Sequence, residues 1–230
     1  MEGDKQSQMR KLVQLRRSGW IPDGCYRLGD KRLNDGFWDE DEHVVPWSKT
    51  ACNYDSEVML IAQDWDSLDN LTAPLAAKHH RIKLVGRNEK LATNKRIDKL
   101  LAQYLALTWS DIFATDVFPF IKPGDMRGNL RLTDLVRCAH DFALPQIDII
   151  RPLLVICLGR STTFRAIAAA IGQRFSAPNG DDPLGPVEYR NVKIYGVTHP
   201  GGRGNAWVDR IDKEWARLSS ELQILRKQIA

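Results

Sequence analysis

The sequence predicts an α/β fold: a single three-layer α/β/α domain built around a short, mainly parallel, four-stranded sheet. Short continuous apolar runs alternate along the chain with segments of helical periodicity. This pattern is typical of parallel strands that helices cover on both faces. The chain has 230 residues, 43% of them hydrophobic and 27% charged, which suits one globular domain with a large buried core.

Four apolar runs are predicted to form the strands, at residues 58–62, 112–117, 153–158 and 192–197. Helices are predicted where apolar residues recur every three or four positions, around residues 97–105, 132–142, 161–172 and 207–225. Pro145 is expected to kink or end the second of these helices. Residues 1–50 are interpreted as an N-terminal helix and an irregular, glycine-rich extension, and residues 51–230 as the main domain.

Charge and cysteine usage limit the class of protein only weakly. The net charge of +4 is compatible with a nucleic-acid partner but does not require one. There is no apolar run of membrane-spanning length and no secretory signal. The four cysteines lack the spacing of a zinc site or a disulfide framework. We therefore expect an intracellular, cytoplasmic monomer that has no membrane partner.

Polar residues follow the predicted strands. They are Gln63, Asp64 and Trp65 after the first strand, Asp116 near the end of the second, Arg160 and Ser161 after the third, and His199 after the fourth. A strand-terminal Asp is often a helix cap, and a His before Pro is often a turn residue. Because ligands of parallel sheets bind beyond the carboxyl ends of the strands, their joint position instead favours a functional site.

The order of these motifs resembles the uracil-DNA glycosylase superfamily. Residues 62–64, AQD, resemble its first motif, best known as GQDPYH, and residues 199–204, HPGGRG, resemble its last motif, HPSPLS. The middle of the chain is similar to the iron–sulfur branch, in VGR at 85–87, in KPGDMR at 122–127, and in the segment from IRP at 150–152 to LGR at 158–160. The resemblance covers roughly residues 57–220 and leaves out residues 1–50.

This resemblance implies an enzyme that flips uracil out of DNA and hydrolyses its bond to the sugar, with no metal or organic cofactor. Asp64 would stabilise the positive charge that develops on the sugar and would orient the attacking water. His199 would donate a hydrogen bond to the departing base. Four cysteines would be needed for an iron–sulfur cluster, but only Cys138 lies near a ligand position, and Phe120 stands where another cysteine would be. We expect no cluster.

The resemblance also implies a base-binding set of Gln63, Trp65, Leu84 and Asp116. Asp66 matches the tyrosine that bars the methyl group of thymine, and the neighbouring Trp65 is a candidate for that role or for simple packing. Leu84 takes the place of the aromatic residue that stacks on the base. Asp116 matches the base-reading asparagine and would have to be protonated to donate to uracil O4 as an amide does; alternatively, it is a structural cap or loop ligand.

Contacts to DNA are expected from Lys122, Arg127, Arg160 and Ser161, and from the backbone at Gly201 and Gly202. Arg203 stands where the family carries an intercalating leucine, and it is predicted to fill the space left by the flipped nucleotide; an ordinary phosphate contact is the alternative. Two other functions stay open. One is a glycosylase for another deaminated base, and the other is a non-catalytic protein that binds abasic or damaged DNA, although Asp64 and His199 together argue against the second.

Overall fold

A single five-stranded sheet forms the centre of the computed structural model, which describes residues 2–174, 181–201 and 205–229. Its strands are β1 (Val58–Asp64), β2 (Phe113–Phe118), β3 (Leu154–Leu158), β4 (Leu184–Tyr189) and β5 (Val192–Val197). They lie in the order β2-β1-β3-β5-β4. The four predicted strands are confirmed as β1, β2, β3 and β5, and each is parallel to its neighbour in that set.

The predicted number of strands is wrong, because β4 is an additional edge strand that runs antiparallel to β5. Its sequence, LGPVEY, contains Gly185 and Pro186 and buries only Leu184 and Val187. Proline and glycine normally indicate a turn, but an edge strand tolerates them because part of its backbone has no partner to bond. The register between β4 and β5 shifts between Leu184 and Val187, which fits this irregular composition.

Eight α-helices surround the sheet in the described part of the chain. They are α1 (Glu2–Ser18), α2 (Leu68–Thr72), α3 (Ala77–Val85), α4 (Ala92–Leu100), α5 (Leu132–Cys138), α6 (Leu144–Ile150), α7 (Arg165–Ala170) and α8 (Asn205–Ile229). The sequence did not predict α2 and α3. None of the described helices is both long enough and apolar enough to span a bilayer.

Turns of π-helix extend or join several of these helices, at Leu101–Leu105, Ala139–Ala143 and Arg160–Phe164. The predicted break at Pro145 does not occur, since the π-turn leads directly into α6 and Pro145 lies in the first turn of that helix. The proline lies just after the π-turn, where the regular i→i−4 hydrogen-bond pattern is already interrupted. Short 3₁₀ turns at Pro46–Lys49 and Trp109–Asp111 complete the regular structure.

The irregular segment after α1 packs against the loop that follows β2. Tyr26 pairs with Ile121 through two backbone hydrogen bonds, of 2.9 and 2.8 Å. This segment has a small apolar cluster, separate from the main core, that contains Leu28, Leu33 and Trp38. Trp38 contacts Trp65 with ring centroids 5.6 Å apart, so this segment supports the chain immediately after β1.

Candidate active site

Two adjoining cavities open at the carboxyl ends of β1, β3 and β5. The inner cavity, of about 250 Å³, is lined in part by Trp47, Trp65 and Asn94. The outer cavity, of about 590 Å³, is lined in part by Arg160, Ser161 and Trp207. Five residues line both cavities and so mark their junction: Gln63, Asp64, Thr93, Met126 and His199. The structure therefore brings the two predicted catalytic residues, from the ends of β1 and β5, to one place.

Asp64 is a buried carboxylate with a buried counter-charge. The Lys122 ammonium lies 2.6 Å from Asp64 Oδ2, and the two side chains are only 2% and 7% exposed. Lys122 Nζ also donates to Met126 O at 2.8 Å, and Gln63 Nε2 donates to Asp64 Oδ1 at 3.2 Å. Burial raises the pKa of Asp64 above its ordinary value, while Lys122 and Gln63 oppose that rise.

His199, at the cavity junction, has a defined hydrogen-bond partner on one ring nitrogen. The backbone N–H of Gly201 donates to its Nδ1 at 3.1 Å. Because Nδ1 accepts, the proton of the neutral ring is assigned to Nε2. Although the residue as a whole is exposed, its ring loses hydration at the cavity wall, which lowers its pKa, and Asp64 opposes that shift. The arrangement favours a neutral imidazole with an Nε2–H donor.

A buried glutamate of α8 holds the end of β5 in place. Glu214, which is 0% exposed, accepts hydrogen bonds from the backbone N–H of Thr198 at 2.6 Å and from its hydroxyl at 2.9 Å. Arg160 donates to the same carboxylate at 2.6 Å, and the indole N–H of Trp207 donates to His199 O at 3.0 Å. These contacts fix the backbone that carries His199.

The walls of the inner cavity are aromatic and amide-rich. Trp65 donates through its indole N–H to Gly86 O at 2.8 Å, so its ring is held in one orientation. Asn94 donates to Asn88 O at 2.8 Å, and both residues line the cavity. Sequence reasoning missed this amide pair, although a signal exists: Asn94 lies one helical turn before Ile97, and a polar residue on a buried helix face is uncommon.

Asp116, which the resemblance matches to a base-reading residue, lies in the core of the sheet. It is 0% exposed within β2, directly opposite Ala62 of β1, and it lines neither cavity. Neither of its carboxyl oxygens has a hydrogen-bond partner among the described residues. Burial raises the pKa of Asp116 well above its ordinary value, and the nearby charge of Asp64 adds to that effect. The expected contact between Asp116 and the base stays a prediction, and the burial of its side chain fits the alternative of a structural residue.

Two other predicted contacts, Leu84 and Lys122, line neither cavity. Leu84 is 71% exposed on α3 and lines neither cavity, so its position does not suit a residue that stacks on a base. Lys122 is buried and its ammonium is used by Asp64 and Met126, so it acts as a counter-charge within the protein and not as a phosphate contact. In the sequence Lys122 lies next to a loop that contains glycines, and nothing in this pattern predicts that its side chain is buried.

The remaining predicted DNA contacts divide into three groups. Arg160, Ser161 and Gly201 line the outer cavity. Arg127 is exposed in the loop that carries Met126 but lines neither cavity. Gly202 and Arg203, including the predicted intercalating side chain, lie outside the described residues.

A scan against protein-family models gives no match, and a search of curated proteins gives none either. The likeness to the uracil-DNA glycosylase superfamily thus depends on the short motifs at the strand ends.

Proposed function

We propose that the protein is a DNA glycosylase that flips uracil out of DNA and removes it by hydrolysis, leaving an abasic site. The observation that supports this proposal best is the placement of Asp64 and His199 together at the junction of two cavities. A reaction at a base–sugar bond needs that geometry, with the base on one side of the junction and the sugar and phosphates on the other. It also needs opposite charges to be stabilised on the two sides.

Asp64 is assigned to the sugar side of the reaction. As the glycosidic bond breaks, positive charge develops on the sugar, and a carboxylate beside it lowers the energy of that state. The same carboxylate accepts a hydrogen bond from the attacking water and orients it. Lys122 opposes the rise in the pKa of Asp64 that burial causes, and so favours the ionised carboxylate. The ammonium also offsets part of the negative charge that Asp64 presents to the sugar.

His199 is assigned to the departing base. The neutral tautomer fixed by Gly201 carries a hydrogen on Nε2, which is able to donate to the base oxygen as negative charge develops there. A neutral imidazole suffices because the anionic base needs a hydrogen bond and not a full proton. The lowered pKa of His199 favours that form.

The inner cavity is assigned to the base. Its volume of about 250 Å³ is below the range of pockets for drug-sized ligands and suits one small planar ring. Trp65 and Trp47 supply apolar area, and the Asn88–Asn94 pair supplies polar groups. The fixed indole of Trp65 is the candidate barrier to larger pyrimidines, whereas Asp116 is not, since it lies outside the cavity lining.

The outer cavity is assigned to the DNA backbone. Ser161 and the backbone of Gly201 border it, and contacts of this type position a duplex or a single strand without reading its sequence. Arg160 is already engaged by Glu214 and by Asp182 O at 2.9 Å. Its contribution to DNA binding is therefore chiefly electrostatic.

A glycosylase for another deaminated base is the second candidate, and the absence of Asp116 from the cavity lining favours keeping it. Without an identified asparagine-like base reader, the polar groups of the inner cavity decide which base is accepted. Comparison of oligonucleotides that carry uracil, hypoxanthine or xanthine separates the two candidates. A protein that only binds abasic DNA would release no base from any of them.

The test is cleavage of a uracil-containing oligonucleotide at abasic sites after alkali treatment. We expect wild-type protein to generate these sites and Asp64→Asn to lose most of this activity while it still binds the oligonucleotide. Asp69→Asn is the matched control, because Asp69 is an exposed carboxylate on α2 outside both cavities. Equal activity of Asp64→Asn and Asp69→Asn would remove Asp64 from the reaction.

A further inference from the structure

A third cavity, of about 330 Å³, lies between α1 and the irregular segment that follows it. Its charged lining residues are Arg16, Arg17, Arg27, Arg32, Asp30 and Asp39. None of them lines the inner or the outer cavity. Arginines outnumber carboxylates in this lining, so the cavity is cationic.

The two aspartates of the third cavity are already neutralised. Arg32 donates to both carboxyl oxygens of Asp30, at 2.9 and 2.7 Å, and these bonds lower the pKa of Asp30 to about 2. Arg17 pairs with Asp39 at 3.0 Å. Because both carboxylates of the lining are paired with Arg32 and Arg17, the positive charges of Arg16 and Arg27 have no carboxylate partner in this lining.

Arg16 is a buried cation with unused donors. It is 0% exposed, and its Nη2 donates to Glu40 O. In the described part of the chain its Nε and Nη1 have no hydrogen-bond partner, and the Glu40 carboxylate is paired with Lys49 at 2.6 Å. Burial lowers the pKa of Arg16 to about 10, with Asp39 and Glu40 opposing that shift, so the side chain remains charged at neutral pH.

Arg27, which also lines the cavity, repeats this pattern. Its Nη2 donates to Gly19 O, and its buried Nε has no partner among residues 2–174, 181–201 and 205–229. A buried guanidinium with unused donors is unfavourable unless an anion completes its bonding. Two such groups in the lining of one cavity are a stronger signal than either one alone.

We propose that this third cavity binds a phosphate group, with Arg16 and Arg27 as its charged ligands. Guanidinium groups match the oxygens of a phosphate with paired, charge-assisted hydrogen bonds. Two positive charges without a carboxylate partner attract an anionic phosphate, which carries one negative charge as a diester of the DNA backbone and about −1.5 to −2 as a monoester at neutral pH. The volume of about 330 Å³ leaves space for the group to which the phosphate is attached.

The phosphate has two possible sources, the DNA itself or a free phosphorylated molecule. The cavity adjoins the chain around Tyr26, which pairs with Ile121 just beyond the end of β2. The loop that follows Ile121 supplies Met126 to the junction of the inner and outer cavities. Because this segment connects the third cavity to the candidate active site along the chain, a DNA phosphate is one arm of the test.

The experiment is titration of the full chain with inorganic phosphate, followed by calorimetry and by thermal unfolding, against sodium chloride at the same ionic strength. It needs no uracil substrate, so its outcome is independent of base excision. We expect saturable binding and a rise in Tm with phosphate but not with chloride. Arg27→Gln and Arg16→Gln should each weaken binding by roughly tenfold to a hundredfold, as expected for the loss of a charge-assisted hydrogen bond.

Arg10→Gln is the matched control, because Arg10 is an exposed arginine of α1 that does not line the cavity. If Arg16→Gln fails to fold, the half-buried Arg27 decides the question alone. Equal phosphate affinity of Arg27→Gln and Arg10→Gln, or equal stabilisation by chloride, would overturn the proposal. Competition by a uracil-free oligonucleotide would support the site and identify DNA as the source of the phosphate, and binding without competition would support a free phosphorylated ligand.

Discussion

Replacement of Lys122 by methionine removes the counter-charge of a buried carboxylate. The two groups lie 2.6 Å apart, and the lysine and aspartate side chains are 2% and 7% exposed, so water cannot replace the lost partner fully. Breaking a buried ion pair by removing one member costs about 3–5 kcal/mol. We expect Lys122→Met to lower the free energy of unfolding by an amount in this range at pH 8.

This loss of stability should depend on pH with a definite sign. Burial already raises the pKa of Asp64 above its value in the unfolded chain, and Lys122 opposes that rise. Without Lys122 the folded state holds the Asp64 proton more tightly than the unfolded state does. The stability of Lys122→Met therefore falls as pH rises from the pKa of Asp64 in the unfolded chain to its raised pKa in the folded protein. The difference between wild type and Lys122→Met should therefore be smaller at pH 5 than at pH 8.

The assay is denaturant unfolding at both pH values, with a second substitution as an internal check. Asp64→Asn should restore most of the lost stability of Lys122→Met at pH 8, because a neutral amide needs no counter-charge. Lys90→Met, at an exposed lysine, should change stability little at either pH. The reasoning is refuted if Lys122→Met loses the same stability at both pH values, or if Asp64→Asn gives no rescue.

Further outcomes follow from the other site residues. His199→Ala should lower uracil excision by about a hundredfold with DNA affinity retained, since it removes one donor to the developing anion; unchanged turnover in single-turnover kinetics would contradict this. Trp65→Ala should raise excision of thymine relative to uracil, measured on matched oligonucleotides. Leu84→Ala should leave excision within about twofold of wild type, because that side chain is 71% exposed. The contribution of Asp116 to wild-type stability should fall as pH rises from 3.8 through the raised pKa of its carboxyl group. Unfolding curves of Asp116→Asn should lack that pH dependence, and the base preference of this variant should be unchanged.

The parallel part of the sheet could be predicted because its strands are continuously apolar and carry their signal locally. β1, β2, β3 and β5 are buried on both faces, and such runs differ clearly from amphipathic helices. β4 could not be predicted in this way, since it lies at an edge and buries only Leu184 and Val187, which are three positions apart. Its glycine and proline have the composition of a turn.

The sequence predicts those site residues that come at or directly after the carboxyl ends of the parallel strands. Gln63, Asp64 and His199 lie at the cavity junction because parallel strands bring their carboxyl ends to one edge. Side-chain burial was not predictable from motif order. Lys122 reads as a basic loop residue in the sequence, and its role as a counter-charge depends on where the chain after β2 folds back over Asp64.

Asp116 shows a related limit. Motif order places it at the position of a base reader, but the register of β2 against β1 sets it opposite Ala62 and within the core. Register is a property of two strands and cannot be read from one of them. The apolar neighbours of Asp116, in the run from residue 112 to residue 118, were the available sign that its side chain lies in a buried strand.

The most direct test of the central claim is the identity of the product. An oligonucleotide with a single uracil is incubated with excess protein, and free uracil and abasic sites are quantified by mass spectrometry. We expect equal amounts of the two products from wild-type protein, and neither product from an otherwise identical oligonucleotide with thymine in place of uracil. DNA that remains intact and bound, with no free uracil released, would contradict the assignment of Asp64 and His199 to hydrolysis.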